Sequence, residues 1–90
     1  EYRQAGALEE AEAQCRRALE LRPGFPDVRI ALARVLLERG APADAAVELD
    51  AVLLARPDLL DAALLRGLAA YLLGDLDAAE IAYKRGLVAD

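Results

Sequence analysis

Gly6, Gly40 and Gly74 lie 34 residues apart, and the interval is the same both times. Other residues keep the same spacing: Pro23 and Pro57, then Ala11, Ala45 and Ala79, then Leu19, Leu53 and Leu87. A fixed period of this length means that one short supersecondary unit is repeated. Such a unit cannot bury its apolar face alone, so neighbouring units must stack to build a core.

Within each period the apolar residues recur at helical spacing, as in Ile30, Ala33 and Leu37 or Leu64, Leu68 and Tyr71, with proline or glycine between the runs. Each period therefore reads as two helices. The pattern predicts helices over 8–21, 26–39, 42–55, 59–73 and 76–88, with a helical stub before Gly6. Gly40 and Gly74 fall just past helix ends, where a left-handed residue closes the last turn and glycine adopts it without a side-chain clash. Pro26 and Pro42 suit the first turn of a helix, which needs no amide hydrogen at that point. Asp58 and Asp75 are expected to cap the next helices by accepting hydrogen bonds from their first amides.

These features predict an all-α fold, an α-solenoid of antiparallel helix pairs with about two and a half repeats. One domain spans residues 1–90, divided into a partial repeat 1–25, a repeat 26–59 and a repeat 60–90 that lacks the closing proline. Stacked repeats usually end in caps with a polar outer face, and neither end of this sequence reads as one. The chain is accordingly expected to be a piece of a longer array.

The residues resemble the tetratricopeptide repeat along the whole chain. That family's pattern ends in Ala-x-x-x-Phe and a closing proline. Here Ala79 is followed by Tyr83, Ala45 by Leu49 and Ala11 by Cys15; Pro23 and Pro57 close their repeats, and Tyr2 fits the earlier tyrosine place. The first half of the pattern is looser. There is no tryptophan, Arg66 precedes Gly67 where a leucine is usual, and Ala33 replaces the glycine after Leu32. The resemblance implies that Ala45 and Ala79 sit where the two helices of a repeat come closest, and that Ala18, Val52 and Gly86 sit where the next repeat docks. Larger side chains there would push the helices apart.

Composition excludes several functional classes. The net charge is −5, from 16 acidic and 11 basic side chains, so the chain has no basic stripe for a phosphate backbone and a nucleic-acid partner is disfavoured. The apolar share is 57%, yet charges such as Asp50, Arg56, Asp58, Asp61 and Arg66 break the most apolar region well short of the roughly 20 residues needed to span a bilayer. Membrane insertion by this stretch is not expected. Histidine, serine, threonine and asparagine are all absent, which removes the common nucleophile–base pairs, the hydroxyl of a phosphate loop and imidazole metal ligands.

The chemistry that remains is thin. Asp75, Asp77 and Glu80 read as a negative first helical turn that complements the helix dipole, since a calcium loop needs more oxygen ligands at set spacings. Cys15 has no second thiol and occupies a core position of the repeat, so it reads as a small packing side chain. Glu9, Glu10, Glu12, Arg16 and Arg17 read as a solvated helix face. No catalytic, cofactor-binding or metal site is expected, and the chain is not read as an enzyme.

The resemblance implies a concave groove lined by the first helix of each repeat. Its residues here would be Asp27, Ile30, Arg34 and Leu37, then Asp61, Leu64, Leu68 and Tyr71. Family members that grip a terminal carboxylate use basic and amide side chains on this face. The matching places carry Ile30, Arg34, Asp61 and Leu65, which disfavours such a clamp. The expected function is a scaffold that holds a protein or peptide partner in a largely apolar groove, with Asp27, Glu38 and Asp61 tolerating basic flanks on the ligand. Two other readings stand beside it: an accessory domain joined to a catalytic domain elsewhere, and a self-association module that forms a homo-oligomer through its uncapped ends.

Overall fold

The computed structural model describes residues 2–89, and side chains over 6–81 together with 83 and 84. Five helices form among the described residues: α1 (Tyr2–Leu21), α2 (Pro26–Glu38), α3 (Pro42–Ala55), α4 (Leu60–Leu72) and α5 (Leu76–Ala89). Each packs against the next in the chain, and α2 also touches α4, as expected for about two and a half repeats of an α-solenoid.

Two turns set the antiparallel pairs. Gly40 and Gly74 have φ of 82° and 85°, the left-handed conformation that glycine adopts most cheaply. The amide of Gly40 donates to the Leu37 carbonyl and that of Ala41 to the Leu36 carbonyl; Gly74 and Asp75 repeat this pattern onto Tyr71 and Ala70. The last carbonyls of α2 and α4 are thereby satisfied as the chain reverses. Pro26 and Pro42 open their helices, and Asp75 caps α5 by accepting the Ala78 amide at 3.1 Å.

Asp58 does not do the same for α4. Leu59 holds the capping position in extended backbone with no side-chain bond, and Asp58 turns back to Arg56, whose Nε lies 3.4 Å from Oδ1. That hydrogen bond, helped by one from the backbone, holds the Asp58 carboxyl below its ordinary range. A neighbouring guanidinium outcompetes the helix amides for this carboxylate.

The first repeat departs further from expectation. The period predicts a stub, a turn at Gly6 and a new helix at 8, yet α1 runs unbroken from Tyr2 to Leu21 and Gly6 is helical. The cause lies in the residues after the glycine. Gly40 is followed by Ala41-Pro42 and Gly74 by Asp75, whereas Gly6 is followed by Ala7-Leu8, two strong helix formers with neither a proline nor a cap. Glycine permits a turn, but another residue must enforce it.

The core lies between α2, α3 and α4. Leu32, Ala33 and Leu36 meet Ala45, Leu49 and Val52 and then Ala62, all buried, with Cys15, Leu19, Ile30, Leu37, Leu53 and Leu65 packed around them. Ala33 and Ala45 retain no exposed surface, as expected where two helix axes come closest. The other buried residues of α4, and Ala79 of α5, are all small: Ala63, Gly67, Ala69 and Ala70 complete the set. The side chains of Tyr2 and Leu87, and the burial of Gly86, which the repeat pattern also singles out, lie outside what is described.

Two sets of substitutions test this register. Ala45→Leu and Ala79→Leu are each expected to destabilise by about 1–3 kcal/mol, because the added methylenes have nowhere to go; thermal melts unchanged within error would remove the register. Gly40→Ala and Gly6→Ala should have opposite signs. A new Cβ meets nothing within 4 Å at either site, so only backbone conformation separates them. Alanine at 40 should cost roughly 1–2 kcal/mol and alanine at 6 should gain roughly 0.5–1 kcal/mol, as read by urea unfolding midpoints.

Candidate functional site

The first helices of the two complete repeats, α2 and α4, lie side by side, and they carry all eight groove residues expected from the sequence. These form four pairs separated by the repeat length: Asp27 with Asp61, Ile30 with Leu64, Arg34 with Leu68 and Leu37 with Tyr71. Equivalent positions meet different surroundings. Ile30 and Leu37 pack against the core cluster and are half-buried, while Leu64 and Leu68 are each 37% exposed and Tyr71 58%. Asp27 and Asp61 are exposed in the first turns of their helices, and Arg34 Nη2 reaches Asp61 Oδ2 at 3.9 Å between them.

The contrast comes from the small core of the α4 end. With alanine and glycine buried there, most of the leucines toward the end of α4 lie outward: Leu72, and Leu73 just past the helix, are exposed along with Leu64, Leu68 and Tyr71. At α2 the equivalent places carry Ile30 and Leu37, half-buried against the core cluster, and the charged side chains of Arg34 and Glu38, which are exposed. Leu64, Leu68, Tyr71 and Leu72 therefore form an apolar row along α4, and its aromatic residue carries a hydroxyl.

Arginines tie the layers together, a feature that the sequence reading did not anticipate. Arg29 of α2 meets Glu48 of α3 at 2.9 Å, and Arg66 of α4 meets Asp50 of α3 at 2.7 Å. Arg39, just past α2, pairs with Glu12 of α1, which Arg16 also contacts at 2.9 Å. Glu12 belonged to the stretch read as a solvated face, yet its side chain is only 15% exposed. Its hydrogen bonds from Arg16 and then Arg39 hold its carboxyl below the ordinary range, and partial desolvation opposes them more weakly. Spacing within α1 reveals Arg16; only the fold brings Arg39 across.

Little else on the surface is reactive. Cys15 is half-buried beside the core, and that burial raises its thiol above the ordinary value, so less thiolate forms at neutral pH. Among the described residues no group of three histidine, cysteine, aspartate or glutamate side chains converges as a metal site. No described helix is long and apolar enough to cross a membrane.

A family model for the tetratricopeptide repeat matches residues 2–71, which takes in α1 to α3 and nearly all of α4. The chain belongs to the tetratricopeptide repeat family. Repeats of this family generally mediate protein–protein interaction and are typically non-catalytic modules. No curated protein matches the chain.

The Glu12 pairs make stability depend on pH in a defined direction. The folded state favours the carboxylate, so this contribution is present above the ordinary glutamate range and is lost as pH falls through the lowered folded value. Urea midpoints should decline from about pH 5 to pH 3, and Glu12→Gln should start lower and decline less steeply. Parallel profiles for parent and variant would mean that the Arg16 and Arg39 pairs do not form in solution.

Proposed function

We propose that this chain is a protein-binding scaffold whose partner lies along the outer row of α4 and the neighbouring edge of α2. The observation that carries the reading is the row Leu64, Leu68, Tyr71 and Leu72, an apolar strip left uncovered on one helix face. Its repeat equivalents Ile30 and Leu37 are half-buried against the core cluster, whereas Leu64 and Tyr71 are exposed, which favours a surface that another segment covers. An amphipathic helix or an extended segment with apolar residues at helical or alternate spacing fits it. Asp27, Glu38 and Asp61 are exposed nearby and favour basic flanks on that segment.

Within this face, Tyr71 and Arg34 are the anchors. Tyrosine and arginine give large contact area together with directional hydrogen bonds, and such residues dominate interface energetics. Arg34 spends little on the fold, because its pair with Asp61 is long and both side chains are more than half exposed, a setting in which ion pairs contribute at most about 1 kcal/mol. The same strip would also serve self-association, and an attached catalytic domain would make the module an accessory one. Light scattering across a concentration range separates the first of these from binding a different protein.

The test uses a partner recovered with the chain as bait and titrated by calorimetry. Tyr71→Ala and Arg34→Glu are each expected to weaken binding by more than about 1 kcal/mol while changing the melting temperature little. Glu10→Lys, on the exposed side of α1, should bind like the parent. Loss of binding in that control with no loss in the other two would place the partner elsewhere.

A further inference from the structure

The outward face of α3 departs from the repeat. On α1, the second helix of the first repeat, Ala13, Arg17 and Glu20 form an exposed stripe; one period later the same places on α3 are Val47, Ala51 and Leu54. Two charged side chains have given way to apolar ones, yet the α3 stripe stays exposed, Val47 to 66% and Leu54 to 88%. Because Ala45, Leu49 and Val52 fill the core from the other side, α3 is apolar on both faces, a pattern that belongs to a helix covered on both. The patch continues across a hollow of about 410 Å³ to Ile81 of α5, which is 59% exposed. Leu54, Ala63 and Ala78 line this hollow, and one period earlier their places are held by Glu20, Arg29 and Asp44. Helical spacing puts Ala63 and Arg66, its α4 residues, on a different face of α4 from Leu64, Leu68 and Tyr71, so this patch is separate from the α4 row.

We propose that this face pairs with the same face of a second copy of the chain, the two α3 helices crossing antiparallel about a two-fold axis near Ala51. The stripe is complementary to itself when reversed. A small residue stands between two larger ones, so Val47 of each copy meets Leu54 of the other while Ala51 lets the helices approach. The charges match in the same register. Asp44 lies one turn before Val47 on this face and takes part in none of the ion pairs among the described residues. Reversal brings it to Arg56 of the other copy, whose pair with Asp58 is long at 3.4 Å and exposed. The other α3 carboxylates, Glu48 and Asp50, are already neutralised by Arg29 and Arg66, so they oppose the approach little. Val47, Leu54 and Ile81 together offer roughly 400 Å² of apolar surface, a large patch for a monomer but about half of what one partner buries in a standard-size interface. The dimer is therefore expected to be weak.

Sedimentation velocity of the intact chain over roughly 10 µM to 1 mM, a range suited to a weak interface, is the test. The mass is expected to move from monomer to dimer across it. Leu54→Glu, at an exposed position outside the core, should raise the dissociation constant at least about tenfold by placing a charge in the contact. Asp44→Arg should raise it about threefold, and Asp44→Arg combined with Arg56→Asp should recover that loss, because opposite charges again face each other across the axis. Tyr71→Ala, on the α4 row, should dimerise like the parent, and circular dichroism should show every variant as helical as the parent. A chain that stays monomeric throughout overturns the proposal, as does a dimer that Leu54→Glu leaves unchanged. Failure of the double variant to recover overturns the antiparallel crossing and the proposal with it. Weakening by Tyr71→Ala puts the contact on the α4 row and overturns this proposal while leaving that face in place. A monomer in which only a different protein shields Leu54 from hydroxyl radicals assigns the face to that protein, which also overturns it.

Discussion

Ala33 of α2 and Ala45 of α3 are both fully buried and belong to one core cluster, and small residues there let the two helices pack closely. A methyl group on each side lets the axes approach, and that approach allows Leu32, Leu36 and Leu49 to interdigitate around the crossing with almost no exposed surface. The same device recurs at the far end, where Gly67 and Ala79 are buried in α4 and α5. Without it the helix pairs would separate, and the 34-residue spacing would no longer place equivalent residues in equivalent surroundings.

Small residues at the crossings have a consequence for the surface. Alanine accounts for most of the buried apolar side chains among the described residues, so the leucines that such a core does not use lie outside. Along α4 they form a row that its neighbour α2 does not present, because the equivalent positions of α2 carry the charged Arg34 and Glu38 together with Ile30 and Leu37, which pack against the core. The ion pairs follow the same geometry. Arg29, Arg39 and Arg66 span adjacent helices with their guanidinium groups on carboxylates, which links the layers without adding bulk to the core. A scaffold role agrees with this division between a tightly packed core and an apolar strip along α4.

Much of this was legible in the sequence because the repeat multiplies the signal. Gly40, Gly74, Pro26, Pro42 and Asp75 were readable one at a time as turn and cap residues, and the period then fixed which helix faces meet. Gly6 misled because the period carries the glycine forward without the proline or aspartate that makes its equivalents turn. Asp58 misled because its competitor, Arg56, acts through a local contact that capping rules do not weigh. The half-burial of Ile30 and Leu37 against the exposure of Leu64 and Tyr71 was not legible, since it depends on how each helix packs on its neighbours and not on the period. The Arg39–Glu12 tie was hidden for the same reason, being long-range in sequence.

The central claim is that the outer row of α4 is the face that a partner covers. Hydroxyl-radical footprinting of the chain, free and saturated with a recovered partner, tests it most directly. The account predicts that labelling falls at Leu64, Leu68 and Tyr71 and stays unchanged at Val47 and Leu54, which are exposed on α3. Protection at Val47 and Leu54 with undiminished labelling along α4 would contradict it.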